Sequence, residues 1–416
     1  MRLPKHNIVF AGLLLSISLY SQRPYTLKQT LATVRDNNAF LKTASFNIPV
    51  AQSDIVTAKL RPNPVLNNQT LQLVKSSSYA PGTKFYQPQN RQVWWQLTKP
   101  FQLNNQRKYK IDVAEKSALV TEKTFTDAQR NVLFDAGNQW LDVWFSKLNL
   151  DLIDSARKNI DTLVKTNELR LKKQVISTSD FERTELLANQ YFLQSKTAEQ
   201  EYKNQLQELR LVMGATDSVS IEVNDPVISL SFIETIDSLI HLSYIQRPDM
   251  QAAQSTIEVA KSNIQLQRSL SRPVPELGFI VNPQNTVPYV GFFGTIELPF
   301  FSRNQGEIKK SKVLLQQSQQ SLATLQKQVQ TEVQTTYNTW QLNKEIVESS
   351  KQILQKSGEV LESVKYSYTR GGTTIVDFLD AQRTWFDTRK TWYQAEYNYR
   401  KSYLQLLFVT GLINQL

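Results

Sequence analysis

The sequence predicts a mainly helical chain with a membrane β part: two copies of a long coiled-coil hairpin, each with two strands that belong to a β-barrel pooled from several chains. Three observations carry that fold class. The 416 residues repeat their landmarks about 200 positions apart. All fifteen prolines lie in residues 1–100 or 226–299. The proline-bearing stretches contain short segments in which apolar and polar residues alternate.

The repeat is read from matched landmarks. Pro100-Phe101 followed by Asn105-Gln106 returns as Pro299-Phe300 followed by Asn304-Gln305, and Asn138-x-Trp140 returns as Asn338-x-Trp340. Asp180-Phe181 lies 34 residues before the end of Met213-Gly214, and Asp377-Phe378 the same 34 before the end of Thr410-Gly411. Arg61-Pro62-x-Pro64-x-Leu66 corresponds to Arg272-Pro273-x-Pro275-x-Leu277. So long a period means two copies of one structural unit, packed with pseudo-symmetry. The expected division is an export signal at 1–22, a first copy at 23–225 and a second at 226–416.

Residues 101–225 and 300–416 contain no proline. Proline inside a helix costs about 3 kcal/mol, so its exclusion leaves room for very long helices. A helix from Arg107 to Lys173 would extend about 100 Å at 1.5 Å per residue. Val333, Trp340, Val347, Leu354 and Leu361 stand seven apart, with Ile346, Ile353 and Val360 as an adjacent stripe. That spacing predicts a coiled-coil seam. Each copy breaks once, at Gln174 to Ser179 and at Arg370 to Thr374, which predicts a helix–turn–helix hairpin with both tips at the same end.

Strands are predicted around Leu66 to Val74, Val93 to Thr98, Leu277 to Val281 and Val290 to Leu298. Their alternation suits a barrel with lipid outside and water inside, or a soluble sandwich with one buried face. Four strands cannot close a membrane barrel, because an open edge in lipid leaves backbone groups without partners. Two chains would supply eight strands and three would supply twelve.

Composition narrows the function. Arg2 and Lys5 precede an apolar run of twelve, Ile8 to Leu19, which is too short to span a bilayer and reads as an export signal. There is no cysteine, so disulfides, a lipid on an N-terminal Cys and cysteine metal sites are excluded. His241 is the one histidine outside the signal, which leaves no basis for a histidine metal or acid–base centre. No cofactor and no enzymatic activity are expected. The net charge of +11 comes from Lys and Arg scattered among Glu, Asp and Gln, the pattern of solvated helix faces rather than of a nucleic-acid site.

From Tyr25 to Leu416 the chain resembles the TolC-type outer-membrane efflux proteins, most like their cobalt–zinc–cadmium resistance branch. The resemblance rests on the twofold repeat, on Arg247-Pro248-Asp249-Met250, on Leu298-Pro299-Phe300 and on the run Gly371-Gly372-Thr373-Thr374-Ile375-Val376-Asp377-Phe378-Leu379-Asp380-Ala381-Gln382-Arg383. It implies a homotrimer in the outer membrane, with a twelve-stranded barrel continuous with a periplasmic helical tunnel. It also implies docking, through a periplasmic adaptor, on an inner-membrane pump that exports metal cations or drugs. The surroundings would be outer-membrane lipid and periplasm. A second reading is the adaptor itself, which also joins strands to a long hairpin. Adaptors carry one hairpin, whereas two are expected here.

The resemblance also assigns residues. Asp377 and Asp380, on one helix face by their spacing, match the acids that ring the tunnel mouth. Asp377 can equally be a helix N-terminal acid. The latch tyrosine maps to Tyr368 and its acidic partner to Asp180. The latch arginine maps to Thr373, with Arg370 as the neighbouring substitute, and Gly371 and Gly372 are hinge candidates. Trp94, Trp95, Phe292, Phe293, Phe300 and Phe301 are candidates for an aromatic girdle at the bilayer interface.

Overall fold

The computed structural model describes residues 24–225, 235–283 and 287–416. The expected export signal and the start of the second copy at 226 lie outside these residues. Three helices, α1 (Leu27–Asn37), α2 (Ala39–Ser45) and α3 (Asn47–Lys59), lead into strands β1 (Val65–Gln72) and β2 (Arg91–Pro100). The hairpin of α4 (Gln106–Lys172) and α5 (Thr178–Met213) follows. The same order then recurs: α6 (Ile236–Gln246), α7 (Pro248–Leu270), β3 (Glu276–Asn282), β4 (Tyr289–Thr295), α8 (Gln305–Thr369) and α9 (Ile375–Val409). Helices α4 and α8 run for 67 and 65 residues, each about 100 Å.

The repeated landmarks mark backbone requirements. Asn105 and Asn304 precede α4 and α8 in the left-handed conformation, φ 60° and 56°. The chain turns there from strand into helix, and asparagine tolerates that region better than most residues. Gly214 and Gly411, at the ends of α5 and α9, also have positive φ. A Cβ on Gly214 would lie 2.5 Å from the Asn37 carbonyl, and one on Gly411 would lie 2.9 Å from the Arg247 amide. Each hairpin therefore closes against the short helices that open its own copy.

The long helices lie side by side in the order α5–α4–α9–α8. Their largest buried cluster surrounds Trp140, with Leu133 and Leu141 of α4, Leu404 and Leu407 of α9, and Leu27, Leu31 and Val34 of α1. The Trp140 indole donates to the Tyr25 carbonyl at 3.1 Å, so its polar edge is satisfied inside that core. Burial of a tryptophan on this scale contributes about 3–5 kcal/mol. A second anchor lies where α7 starts. The buried Arg247 guanidinium donates to Asp249 at 2.6 and 3.1 Å and to Glu332 of α8 at 2.6 Å, and Arg130 of α4 reaches Asp249 at 3.3 Å.

The seven-residue seam of α8 divides. Val333 and Val347 are buried, whereas Ile346, Ile353 and Val360 are exposed. They point away from α9, towards a side on which no further helix lies among the described residues. Leu186 and Leu193 of α5, at the opposite edge of the row, are exposed in the same way.

The strands form one antiparallel sheet in the order β1-β2-β3-β4. Strand β4 ends at Thr295, so Ile296 and Leu298, expected in the strand, fall outside it. The partner strand explains this: the last pair is Glu276 with Thr295, and β3 is preceded by Pro273 and Pro275, which have no N–H for a ladder. In register, one face carries Leu66, Leu97, Phe279 and Phe292 in one row and Asn68, Trp95, Val281 and Val290 in the next. The other face carries Thr98 with Gly278, Gln96 with Ile280, and Asn67, Gln69 and Gln92. One face is apolar and exposed, the other mainly polar. Strands β1 and β4 are both edges. Among the described residues no helix is long and apolar enough to cross a membrane.

Candidate functional site at the hairpin tips

Both hairpins turn at one end, and the two turns correspond residue by residue. Ser177 accepts a hydrogen bond from the Asp180 amide, and the Asp180 carboxylate accepts one from the Ser177 amide. In the second copy Thr374 and Asp377 make the same reciprocal cap. Asp377 has more donors: the hydroxyls of Thr373 at 2.7 Å and Thr374 at 2.6 Å, and the Thr374 amide at 3.1 Å. The Thr374 hydroxyl first, then that of Thr373, holds its carboxyl below the usual range. Asp377 is thus an exposed, firmly ionised cap. Asp380 is exposed one turn further along α9, and Thr384 and Asp387 continue the same polar stripe.

Tyr368 is buried at the end of α8. Its hydroxyl donates to the Asn167 side-chain oxygen Oδ1 at 3.0 Å. The Asn167 amide donates to Thr184 at 3.0 Å, and the Thr184 hydroxyl to the Asp180 backbone carbonyl at 3.0 Å. The Tyr368 ring stacks on Phe378 with an interplanar angle of 4°, and the Arg170 guanidinium lies 4.9 Å from its centroid. Within the chain, then, Tyr368 is joined to the first hairpin through Asn167, and the Asp180 carboxylate serves its own cap. Thr373 is spent on Asp377, while Arg370 lies 4.1 Å over the Tyr366 ring.

Asn167, Thr184, Arg170 and Phe378 were not among the residues expected at this site. A signal for the first two exists: by the repeat offset they correspond to Val364 and Ala381. Polar residues at seam positions that are apolar in the other copy mark a built hydrogen bond. Beside Tyr368 a cavity of about 680 Å³ opens between α4, α8 and α9, lined by Arg170, Phe378, Gln382 and Trp385. The tip is less tightly filled than the Trp140 core.

The two glycines differ. Gly371 has φ +78° and open space where a Cβ would be, so it serves the left-handed turn. Gln174 occupies the equivalent position of the first tip at φ 56°. A Cβ on Gly372 would meet the Ser367 hydroxyl at 2.8 Å.

The six aromatic candidates separate. Trp95 and Phe292 are on the apolar sheet face, and Phe292 packs at a tilt against Phe279 with centroids 5.2 Å apart. Trp94, opposite Gln69, and Phe293, opposite Gly278, are on the other face, because side chains alternate along a strand. These two stand apart from the apolar face. Phe300 and Phe301 lie beyond β4, at 71% and 96% exposure.

A model of the outer membrane efflux protein family matches residues 239–412. The outer membrane protein TolC of Vibrio cholerae is 22% identical over 320 residues, 73% of each chain. The "Probable outer membrane lipoprotein SilC" of Salmonella typhimurium is 23% identical over 219 residues, 49% of this chain and 46% of that protein. The solved structure of CusC superposes with a TM-score of 0.76 at 18% identity, covering 98% of this chain and 99% of that one.

Proposed function

We propose, from the premise that this chain belongs to the TolC-type outer-membrane efflux proteins, that it is the exit duct of a tripartite efflux system. Members of the family act as channels. The observation that carries the reading is a four-stranded sheet with one apolar exposed face and two open edges, joined to helices about 100 Å long. Such a sheet is a barrel segment, since edges in lipid must pair. Three chains give twelve strands, and the likeness to CusC along nearly its whole length supports that number. The open stripes on α5 and α8 support the same closure for the helices. In this reading 23–225 and 226–416 are the two copies, and outer-membrane lipid contacts the Phe279 and Phe292 face. A periplasmic adaptor, with its single hairpin, is not favoured.

The duct is passive and its work is to open and shut. Asp377 and Asp380 of three chains would place six carboxylates around the tunnel mouth, a field that admits cations and repels anions. The bond between Tyr368 and Asn167 would hold the second hairpin against the first in the shut state, and the cavity beside it would leave α8 and α9 room to move. The resemblance of the Leu379-Asp380-Ala381-Gln382-Arg383 run to the cobalt–zinc–cadmium resistance branch supports metal cations as cargo. Purified protein inserted into a planar bilayer should conduct as a trimer. A water-soluble monomer without conductance would end this reading.

A further inference from the structure

From Ile55 to Ile111 the chain has no Asp or Glu, but it has nine Lys and Arg. The β3–β4 hairpin carries no charge at all from Leu277 to Ile296. Three of the nine cations, Lys75, Lys84 and Arg91, stand at the end of the sheet opposite the long helices, and all are exposed. No acid of either hairpin offsets them there.

The β1–β2 connection that holds Lys75 and Lys84 is folded on itself. Asn90 is buried at its centre. It donates through its side chain to the Lys84 carbonyl at 2.9 Å and accepts from the Ala80 amide at 2.9 Å. The Asn90 carbonyl takes the Leu73 amide at 2.8 Å and the Gln72 side chain at 2.9 Å. The rings of Tyr79, Phe85 and Tyr86 pack in sequence, with centroids 6.3 and 5.0 Å apart. Internal bonding on this scale fixes where the two lysines leave the backbone. Arg91 begins β2 on the same face as Val93 and Trp95. The cationic rim is therefore continuous with the apolar face.

We infer that this rim binds the phosphate-bearing headgroup of a lipid in the leaflet away from the helices, with Lys75, Lys84 and Arg91 on the phosphate and Val93 and Trp95 against the acyl boundary. The inference rests on the duct reading for its orientation. Cations beside an apolar surface suit an amphiphile that offers both parts at once. A soluble polyanion would satisfy the charges and leave the apolar face without a role.

Native mass spectrometry of the detergent-purified oligomer tests this, using a bis-phosphorylated diglucosamine lipid and its dephosphorylated form. The phosphorylated lipid should be retained in preference. Lys84→Gln should weaken it about fivefold, and the combination of Lys75→Gln, Lys84→Gln and Arg91→Gln about a hundredfold. Lys75→Arg with Lys84→Arg should keep wild-type affinity. Equal retention of the two lipids, an unchanged affinity of the triple variant, or full displacement by equimolar inositol hexakisphosphate would overturn it. Conductance of the wild type is read separately: its absence removes the duct, whereas conductance with no phosphate preference removes only the headgroup site.

Discussion

The Tyr368 hydroxyl donates to the Asn167 side chain at 3.0 Å, and this one bond joins the end of α8 to α4 across the boundary between the two hairpins. Both residues are buried, so neither can exchange its partner for water without moving the hairpin. Asn167→Ala leaves the Tyr368 hydroxyl and Thr184 without their partner, at a cost of about 1–3 kcal/mol. A shift of that size raises the open population between about fivefold and a hundredfold. Single-channel recording should show more open events for Asn167→Ala and for Tyr368→Phe; wild-type gating in both would remove this bond from the latch.

Asp377 and Asp380 should separate in function. Asp380→Ala lowers cation preference and leaves the turn intact. Asp377→Ala lowers cation preference and also loosens the start of α9, because three donors from Thr373 and Thr374 lose their acceptor. Reversal potentials in a salt gradient read the first effect, and hydrogen exchange at residues 375–378 reads the second. Held low by those donors, the Asp377 carboxylate keeps its charge as pH falls below the usual carboxylate range.

The open stripes on α5 and α8 should meet between chains. Leu193 and Ile353, at 66% and 59% exposure, lie about equally far from their tips. The chain has no cysteine, so Leu193→Cys with Ile353→Cys offers one clean pair. Oxidation should give covalent dimers and trimers on a denaturing gel. Only monomers, at positions that retain thiol reactivity, would place these edges elsewhere.

Burial pushes the Asp249 carboxyl up, but its hydrogen bonds from Arg247, with the charges of Arg130 and Arg247, outweigh that and hold it low. A carboxyl with a depressed folded pKa contributes stability that is present above its unfolded pKa and lost as pH falls through the folded one. Stability should therefore drop below the usual carboxylate range in wild type. Arg247→Met leaves Asp249 and Glu332 without their main partner and should cost about 3–5 kcal/mol, with a flatter acid limb. Thermal melts in detergent from pH 7 to pH 3 measure both.

Gln174 holds a left-handed turn that its counterpart gives to Gly371. A residue with a side chain pays about 1 kcal/mol there. Gln174→Gly should raise stability by about that amount without altering conductance; a loss of stability would mean that the Gln174 side chain is itself used in the assembly.

Proline placement alone announced the long helices, since a backbone lacking one N–H cannot continue a helix. The Asn-Gln and Met-Gly landmarks, legible as marks of the repeat, fall where helices begin and end, because left-handed positions accept few residues. These are local constraints, written residue by residue in the chain. The end of β4 at Thr295 and the choice of Asn167 over the Asp180 carboxylate as the partner of Tyr368 were not legible in that way. Each depends on a register or a crossing between segments up to 201 residues apart, where a shift of one position exchanges the two faces of a strand or swaps one polar partner for another, and only the packed chain selects between them.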